Sequence, residues 1–248
     1  DFHPRAGKRN GAWMTSYKPQ QIKDGKNDRP HISIVCNFTK PTASKPSLLT
    51  FNEVTTLFHE FGHALHGMLA NTHYPSLSGT SVYWDFVELP SQILENWCYE
   101  KETLELFATH YKTGEVIPME YVEKIKDSAA FLEGMATLRQ LKAFEVAAFD
   151  DTQLYPDLKE NCMSTSFSHI FQGGYSAGYY SYKWAEVLDA DAFALFKQEG
   201  IFNKKVADRF KGFVLSQGGT MDPMELYIKF RGQKPDPEAL LKRAGLLQ

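Results

Sequence analysis

Cysteine is scarce in this chain of 248 residues, which holds three, Cys36, Cys98 and Cys162. They lie far apart and form no CxxC pair, which excludes a disulfide scaffold and favours free thiols in a reducing, cytoplasmic setting. No apolar stretch approaches the roughly 20 residues of a membrane span. An excess of one charge is also lacking. Twenty-seven Lys and Arg against 30 Asp and Glu leave a formal charge of −3, whereas a general nucleic-acid binder needs a basic surplus to neutralise phosphates. There is no internal repeat, no low-complexity tract and no visible signal peptide. The chain starts at Asp1 rather than Met, so a missing or processed N-terminus is expected.

What is present is the composition of an ordinary globular protein, 43% hydrophobic and 23% charged, rich enough in apolar residues to build a core. Aromatic residues reach 14% and can supply both a core and a binding cleft. Positions 11–17 and 31–38 are short, β-branched or aromatic runs that read as strands, separated by the polar loop PQQIKDGKNDRP. Two such strands need helices to pack on. From Thr50 onward the pattern is helical. Thr50 and Glu53 form a capping box, followed by an apolar stripe through Met68. Residues 71–84 are turn-rich. Asp85 and Glu88 give a second box-like start, predicting a helix that runs to Gly114. A third helix is expected from Pro118 towards Phe149 and a fourth from Tyr179 to Gly200. Shorter ones follow at 203–216, 222–231 and 236–244, capped by Asn203, Asp222 and Asp236. One mainly α domain with a small antiparallel sheet is the simplest reading.

His59-Glu60-Phe61-Gly62-His63 lies in the middle of the capped helix. His59 and His63 are four residues apart, so both imidazoles project from one face and can grip one ion. Glu60 sits beside His59, where its carboxylate can take a proton from an attacking water without coordinating. Neutral imidazoles suit zinc, which lowers the pKa of water and polarises a scissile carbonyl. By chance such a pentapeptide arises in about one chain per hundred at ordinary composition, so its surroundings matter. Gly62 costs about 1 kcal/mol against Ala inside a helix, unless something must approach closely. A catalytic zinc needs a third protein ligand. His66, His73, Asp85, Glu88 and Glu95 are the candidates. His66 lies too far along the helix from His59 for three ligands on one straight helix to converge, and reads as a supporting or packing residue. Glu88 and Asp85 remain open alternatives on spacing alone. Glu95, seven positions after Glu88, can orient a metal-bound imidazole.

Three segments in this order, LFHEFGHALHG, WDFVELPSQILENW and FSHIFQGGYSAGYYSYKWAEVLDADAF, resemble the thimet oligopeptidase family of zinc metallopeptidases, in its bacterial oligopeptidase A and dipeptidyl carboxypeptidase branch. The opening KRNGAWMTSY and the closing DPMELYIKFRGQKP are similar to the same branch. The resemblance implies a zincin-like catalytic region, with residues 1–248 as the catalytic portion and the family's helical N-terminal portion absent. It implies one zinc ion per chain, held by His59, His63 and Glu88, with Glu60 as general base. It implies cleavage of short peptides, internally or by release of C-terminal dipeptides. A monomer is expected, with no nucleic-acid or membrane partner.

Tyr175, Tyr179 and Tyr182 are spaced as one helix face, beside Gly173, Gly174 and Gly178. They read either as a mobile substrate wall or as a core stripe. The resemblance implies that His169, Tyr175 and Tyr182 contact substrate or stabilise the transition state. Tyr179, Gly173 and Gly174 line the substrate path in the same reading. The connection from 151 to 166 is shorter than the family's. A truncated, zinc-retaining peptide-binding fragment is the competing expectation.

Overall fold

Two small sheets, the helices that follow them and the C-terminal helices form successive parts of one computed structural model, which describes residues 1–130, 175 and 177–247. Strand β1 (Trp13–Lys18) pairs antiparallel with β4 (His31–Val35), Trp13 opposite Val35 and Met14 opposite Ile34. Between them, the segment expected to be loop folds into a second two-stranded sheet, β2 (Gln21–Lys23) against β3 (Lys26–Asp28). The signal for it was Asp24-Gly25, whose φ angles of 52° and 72° are those of a tight hairpin turn with positive φ at both central residues. The hairpin is tied to the segment just past the first helix, where Ile22 N donates to Thr72 O at 3.1 Å.

Helix α1 (Phe51–Met68) begins where its capping box predicts. Thr50 accepts from Glu53 N, and Glu53 accepts in return from Thr50 N at 2.7 Å. Glu53 also accepts from Thr39 N at 2.6 Å, anchoring the preceding loop. At the other end, Arg29 from the hairpin loop donates to Ala70 O at 3.0 Å and to Met68 O, covering carbonyls that a helix C-terminus leaves unpaired. Strands β1 and β4 lie on α1, so close that Ile32 occupies the space a side chain at Gly67 would need.

The single helix expected from Asp85 to Gly114 is instead four short pieces. These are α2 (Trp84–Val87), α3 (Leu89–Glu95), a 3₁₀ turn (Asn96–Tyr99) and α4 (Lys101–Phe107). Pro90 has no N–H to continue the helix before it, and Glu100, extended at φ −97° and ψ 131°, ends the 3₁₀ turn. Neither Asp85 nor Glu88 acts as a side-chain cap. Helix α5 (Met119–Ala130) starts near Pro118 as expected, and the remainder of that predicted helix lies outside the described residues.

After Tyr179 come α6 (Tyr180–Glu199), α7 (Lys204–Phe210), a π-type turn (Lys211–Leu215), α8 (Pro223–Arg231) and α9 (Glu238–Arg243). Asn203 and Asp222 cap α7 and α8 with their side chains. The core joins Phe86, Leu89 and Ile93 of α2 and α3 to Leu188, Phe193 and Phe196 of α6 and to Phe210, Leu226, Tyr227 and Phe230. Each such side chain contributes about 1.5–3 kcal/mol by leaving water. Two buried carboxylates stabilise the C-terminal helices. Asp191 pairs with Arg231 at 3.0 Å and accepts from the Tyr227 hydroxyl at 2.6 Å, and Asp189 pairs with Arg243.

Candidate metal centre

Helices α1 and α3 touch backbone to backbone, and Gly62 is the reason they can. A Cβ at Gly62 would lie 2.6 Å from Ser91 Cα and 2.7 Å from Pro90 C, and nearer still to Pro90 O. The helix that carries His59 and His63 is thereby laid against the residues after Glu88. Glu88 Oε2 stands 3.3 Å from His59 Nε2 and 3.2 Å from His63 Nε2. Among the described residues these three are the group of His, Cys, Asp or Glu side chains that could hold a metal ion, their ligand atoms all within 4.8 Å of one another. Ligands arranged tetrahedrally at about 2.0–2.1 Å from an ion stand about 3.3–3.4 Å apart. The two measured edges match that spacing, and two imidazoles with one carboxylate are a donor set suited to zinc.

The surroundings fix each donor. Ser91 Oγ lies 2.8 Å from both the backbone O and Oε2 of Glu88, so its one proton has two acceptors on the same residue. Sequence reasoning missed Ser91, because a serine one turn after a carboxylate carries no distinguishing signal. His59 Nδ1 donates to Glu95 Oε1 at 2.6 Å. A carboxylate only accepts, so Nδ1 carries the proton and Nε2 faces Glu88. The equivalent atom of His63, Nδ1, is buried without a partner.

Charge follows geometry. Burial acts to lower the His59 pKa, but Glu88 and Glu95 at its two ring nitrogens outweigh it and push it up to about 10. Burial alone would raise Glu88; the two imidazoles hold it well below the usual carboxylate range. A metal-free chain at neutral pH therefore keeps a proton on His59 between two carboxylates, and a metal ion would replace that proton at Nε2. Glu60 is 6% exposed. Burial raises its pKa, opposed by the two histidines, which makes it a stronger base than a solvated glutamate.

His66 is fully buried and neither ring nitrogen has a partner. Burial lowers its pKa to about 3, so the ring is neutral. It makes no hydrogen bond to the histidine–glutamate group. Asp85 is not part of that group either. It lines a separate cavity of about 420 Å³, with Trp84, Trp184 and Tyr227 among its walls and none of His59, Glu60, His63 or Glu88.

The tyrosines cluster. The Tyr175 ring lies 5.7 Å from that of Tyr182 and 4.4 Å from that of Trp84, and Tyr179 lies 5.2 Å from Tyr182. Burial first, then the Glu88 charge and a hydrogen bond shared with Tyr175, push the Tyr182 pKa up. The phenol therefore stays protonated and able to donate. Gln92 of α3 donates to Tyr182 O at 3.3 Å, linking the start of α6 to the helix that follows Glu88. Trp84, whose ring packs at a tilt against that of Tyr175, was not singled out from sequence. Tyr180 points elsewhere and is 61% exposed. His169, Gly173, Gly174 and Cys162 lie outside the described residues. No described helix is long and apolar enough to cross a membrane.

Comparison with known proteins adds an independent line. The Peptidase family M3 profile matches residues 1–162 and 149–246. Oligopeptidase A of Escherichia coli is 42% identical over 272 residues, covering 99% of this chain and 40% of the relative. The organellar oligopeptidase A of Arabidopsis thaliana is 44% identical over 270 residues, 97% of this chain and 34% of the relative. Dipeptidyl carboxypeptidase of Escherichia coli is 36% identical over 268, 99% and 39% respectively. The chain thus spans roughly 40% or less of the length of these relatives. The alignments run longer than the chain itself, so the relatives hold residues that it lacks, and the two parts of the family match overlap at 149–162. On these matches, which cover almost its whole length, the chain belongs to peptidase family M3.

Proposed function

We propose that residues 1–248 are the catalytic portion of a zinc metallopeptidase of zincin-like fold that hydrolyses short peptides in the cytoplasm. One zinc ion per chain is held by His59, His63 and Glu88. The observation that carries this reading is the pair of 3.2 and 3.3 Å edges between Glu88 and the two imidazoles, with Glu60 buried on the same helix. Zinc supplies Lewis acidity there, polarising the scissile carbonyl and acidifying water. Glu60 takes the proton of the attacking water and returns it to the leaving amine. Glu95 holds the His59 ring. Tyr182, kept protonated, donates to the oxygen on which charge develops, and Tyr175, Tyr179, Gly173, Gly174 and His169 complete the substrate wall. The names of the relatives support cleavage of oligopeptides, and one of them release of dipeptides from the C-terminus; internal cleavage remains the other mode of the proposal. The buried, unpaired thiols Cys36 and Cys98 support a reducing compartment. A monomer without nucleic-acid or membrane partners completes the proposal.

The test is the zinc content of the chain together with hydrolysis of a blocked and an unblocked short peptide, in wild type and Glu60→Gln. One zinc per chain, hydrolysis by wild type, and a Glu60→Gln variant that keeps its zinc but loses activity by several orders of magnitude are expected. Loss of zinc in that variant would make Glu60 a ligand and refute the assignment. Zinc without hydrolysis in wild type would favour the second reading, a zinc-retaining peptide-binding fragment without turnover.

A further inference from the structure

Glu95 is the last residue of α3, and its carboxylate sits at a helix C-terminus, where the helix dipole disfavours negative charge. Its partner His59 is held at 2.6 Å although the Glu95 side chain is 35% exposed. Something must fix the end of α3. The next residue, Asn96, donates through Nδ2 to Gln92 O and Ile93 O, both at 3.1 Å, closing the helix on itself. The same Nδ2 lies 2.9 Å from Asp189 Oδ1 of α6, which accepts from it. Asn96 Oδ1 accepts in turn from Arg243 Nη1 of α9 at 3.1 Å. Arg243 closes the triangle on Asp189, through Nη1 to Oδ1 and through Nη2 to Oδ2 at 3.3 Å. Three elements thus meet at one node directly behind Glu95, and the guanidinium is the cation in it. Its planar fork serves two acceptors at once, which a lysine ammonium on a flexible stem does less well. Without Arg243, Asp189 would be a buried carboxylate lacking its counter-charge, and Asn96 would lose the donor that holds it.

We propose that Arg243 is a positioning residue of the metal centre, setting Glu95 against His59 through Asn96 and Asp189. This rests on the zinc reading above. The chemistry lies far from Arg243 in sequence. Hydrogen bonds tie Arg243 to Asn96 and Asp189, the backbone joins Asn96 to Glu95, and a last hydrogen bond joins Glu95 to the His59 ring.

The experiment measures the zinc dissociation constant by chelator competition, and the cobalt(II) absorption spectrum, in the full chain. Arg243→Lys keeps a cation opposite Asp189 for folding but gives up the second arm to Asn96; Arg243→Ala removes both. Loss of a partner outside the ligand set typically costs 10- to 100-fold in metal affinity. Arg243→Ala is expected at the low end, about tenfold, and Arg243→Lys at a few-fold, each with an altered cobalt spectrum. Glu95→Gln alone should also weaken zinc about tenfold. In the Glu95→Gln background neither Arg243 change should add more than about twofold, because both act on one path. If Arg243→Lys and Arg243→Ala bind zinc like wild type, or if the losses multiply in the double variants, Arg243 supports the fold alone and the proposal is overturned. A wild-type chain that binds no zinc would overturn the metal reading itself, which separates the two failures.

Discussion

Replacing Gly62 by Ala sets two physical effects against each other. Helix propensity alone favours Ala by about 1 kcal/mol, and Gly62 lies well inside α1. The new methyl, however, would fall 2.6 Å from Ser91 Cα and 2.7 Å from Pro90 C, about 1 Å inside ordinary carbon–carbon contact of about 3.5–4.0 Å. Both obstacles are backbone, so no rotamer change relieves them, and α3 must retreat by about 1 Å. Overpacking of this kind costs about 1–3 kcal/mol, which cancels the propensity gain of about 1 kcal/mol or exceeds it by up to about 2 kcal/mol. The same retreat carries Glu88 away from His59 and His63. Metal–ligand distances tolerate about 0.2 Å, so zinc affinity should fall by tenfold or more, equivalent to at least about 1.4 kcal/mol. Urea unfolding of the chelated chain and zinc competition measure the two effects separately. A Gly62→Ala chain about 1 kcal/mol more stable than wild type, with unchanged zinc affinity, would refute the close-approach argument.

Glu88→Gln should weaken zinc strongly whereas His66→Gln should not, and equal loss in a competition titration would remove Glu88 from the ligand set. Tyr182→Phe should lower kcat about a hundredfold with little change in KM if its phenol donates to the developing oxyanion. Tyr180→Phe, altered on an exposed ring, serves as control, and identical behaviour of both would make the tyrosines packing residues. In the metal-free chain, His59 has a folded pKa of about 10 against an ordinary 6.5. Its contribution to stability is therefore complete below pH 6.5 and is lost as pH rises through 10. The Glu88 pKa is depressed, so its contribution is present above its ordinary value of 4.5 and is lost as pH falls further. Thermal unfolding of the chelated chain should show a falling midpoint from pH 6.5 to 10, absent in His59→Gln; a midpoint equally flat in both would contradict the pairing.

The elements whose cause is local could be read from sequence. Thr50 and Glu53 announce α1, Asn203 and Asp222 announce α7 and α8, and Gly62 signals a close approach without saying to what. The Asp24-Gly25 hairpin was legible too, and was missed because the polar residues around it resemble a loop. Residues 85–114 were misread as one helix because the apolar spacing continues through a chain that Pro90 and Glu100 interrupt. The Glu88 side chain, which looked like a possible capping residue, instead faces the two histidines, a choice made by the packing of α1 on α3. Ser91, Trp84 and Asn96 could not have been found from sequence, since their roles exist only once distant segments meet. The resemblance named Glu88 over Asp85 where spacing could not, and the structure puts Asp85 on a different cavity.

The node of Asn96, Asp189 and Arg243 also has a meaning in time. A chain is made from its N-terminus, so α1 and α3 emerge before α6 and α9 and can pack while those helices are still being synthesised. Arg243 lies about 150 residues beyond Glu95, and at about 5–20 residues per second it emerges roughly 7–30 s later. During that interval His59, His63 and Glu88 can already meet, but the end of α3 lacks its clamp until Arg243 arrives. A nascent chain would therefore gather His59, His63 and Glu88 well before the end of α3 is fixed, and a chain that stopped short of α9 would keep them in a looser arrangement.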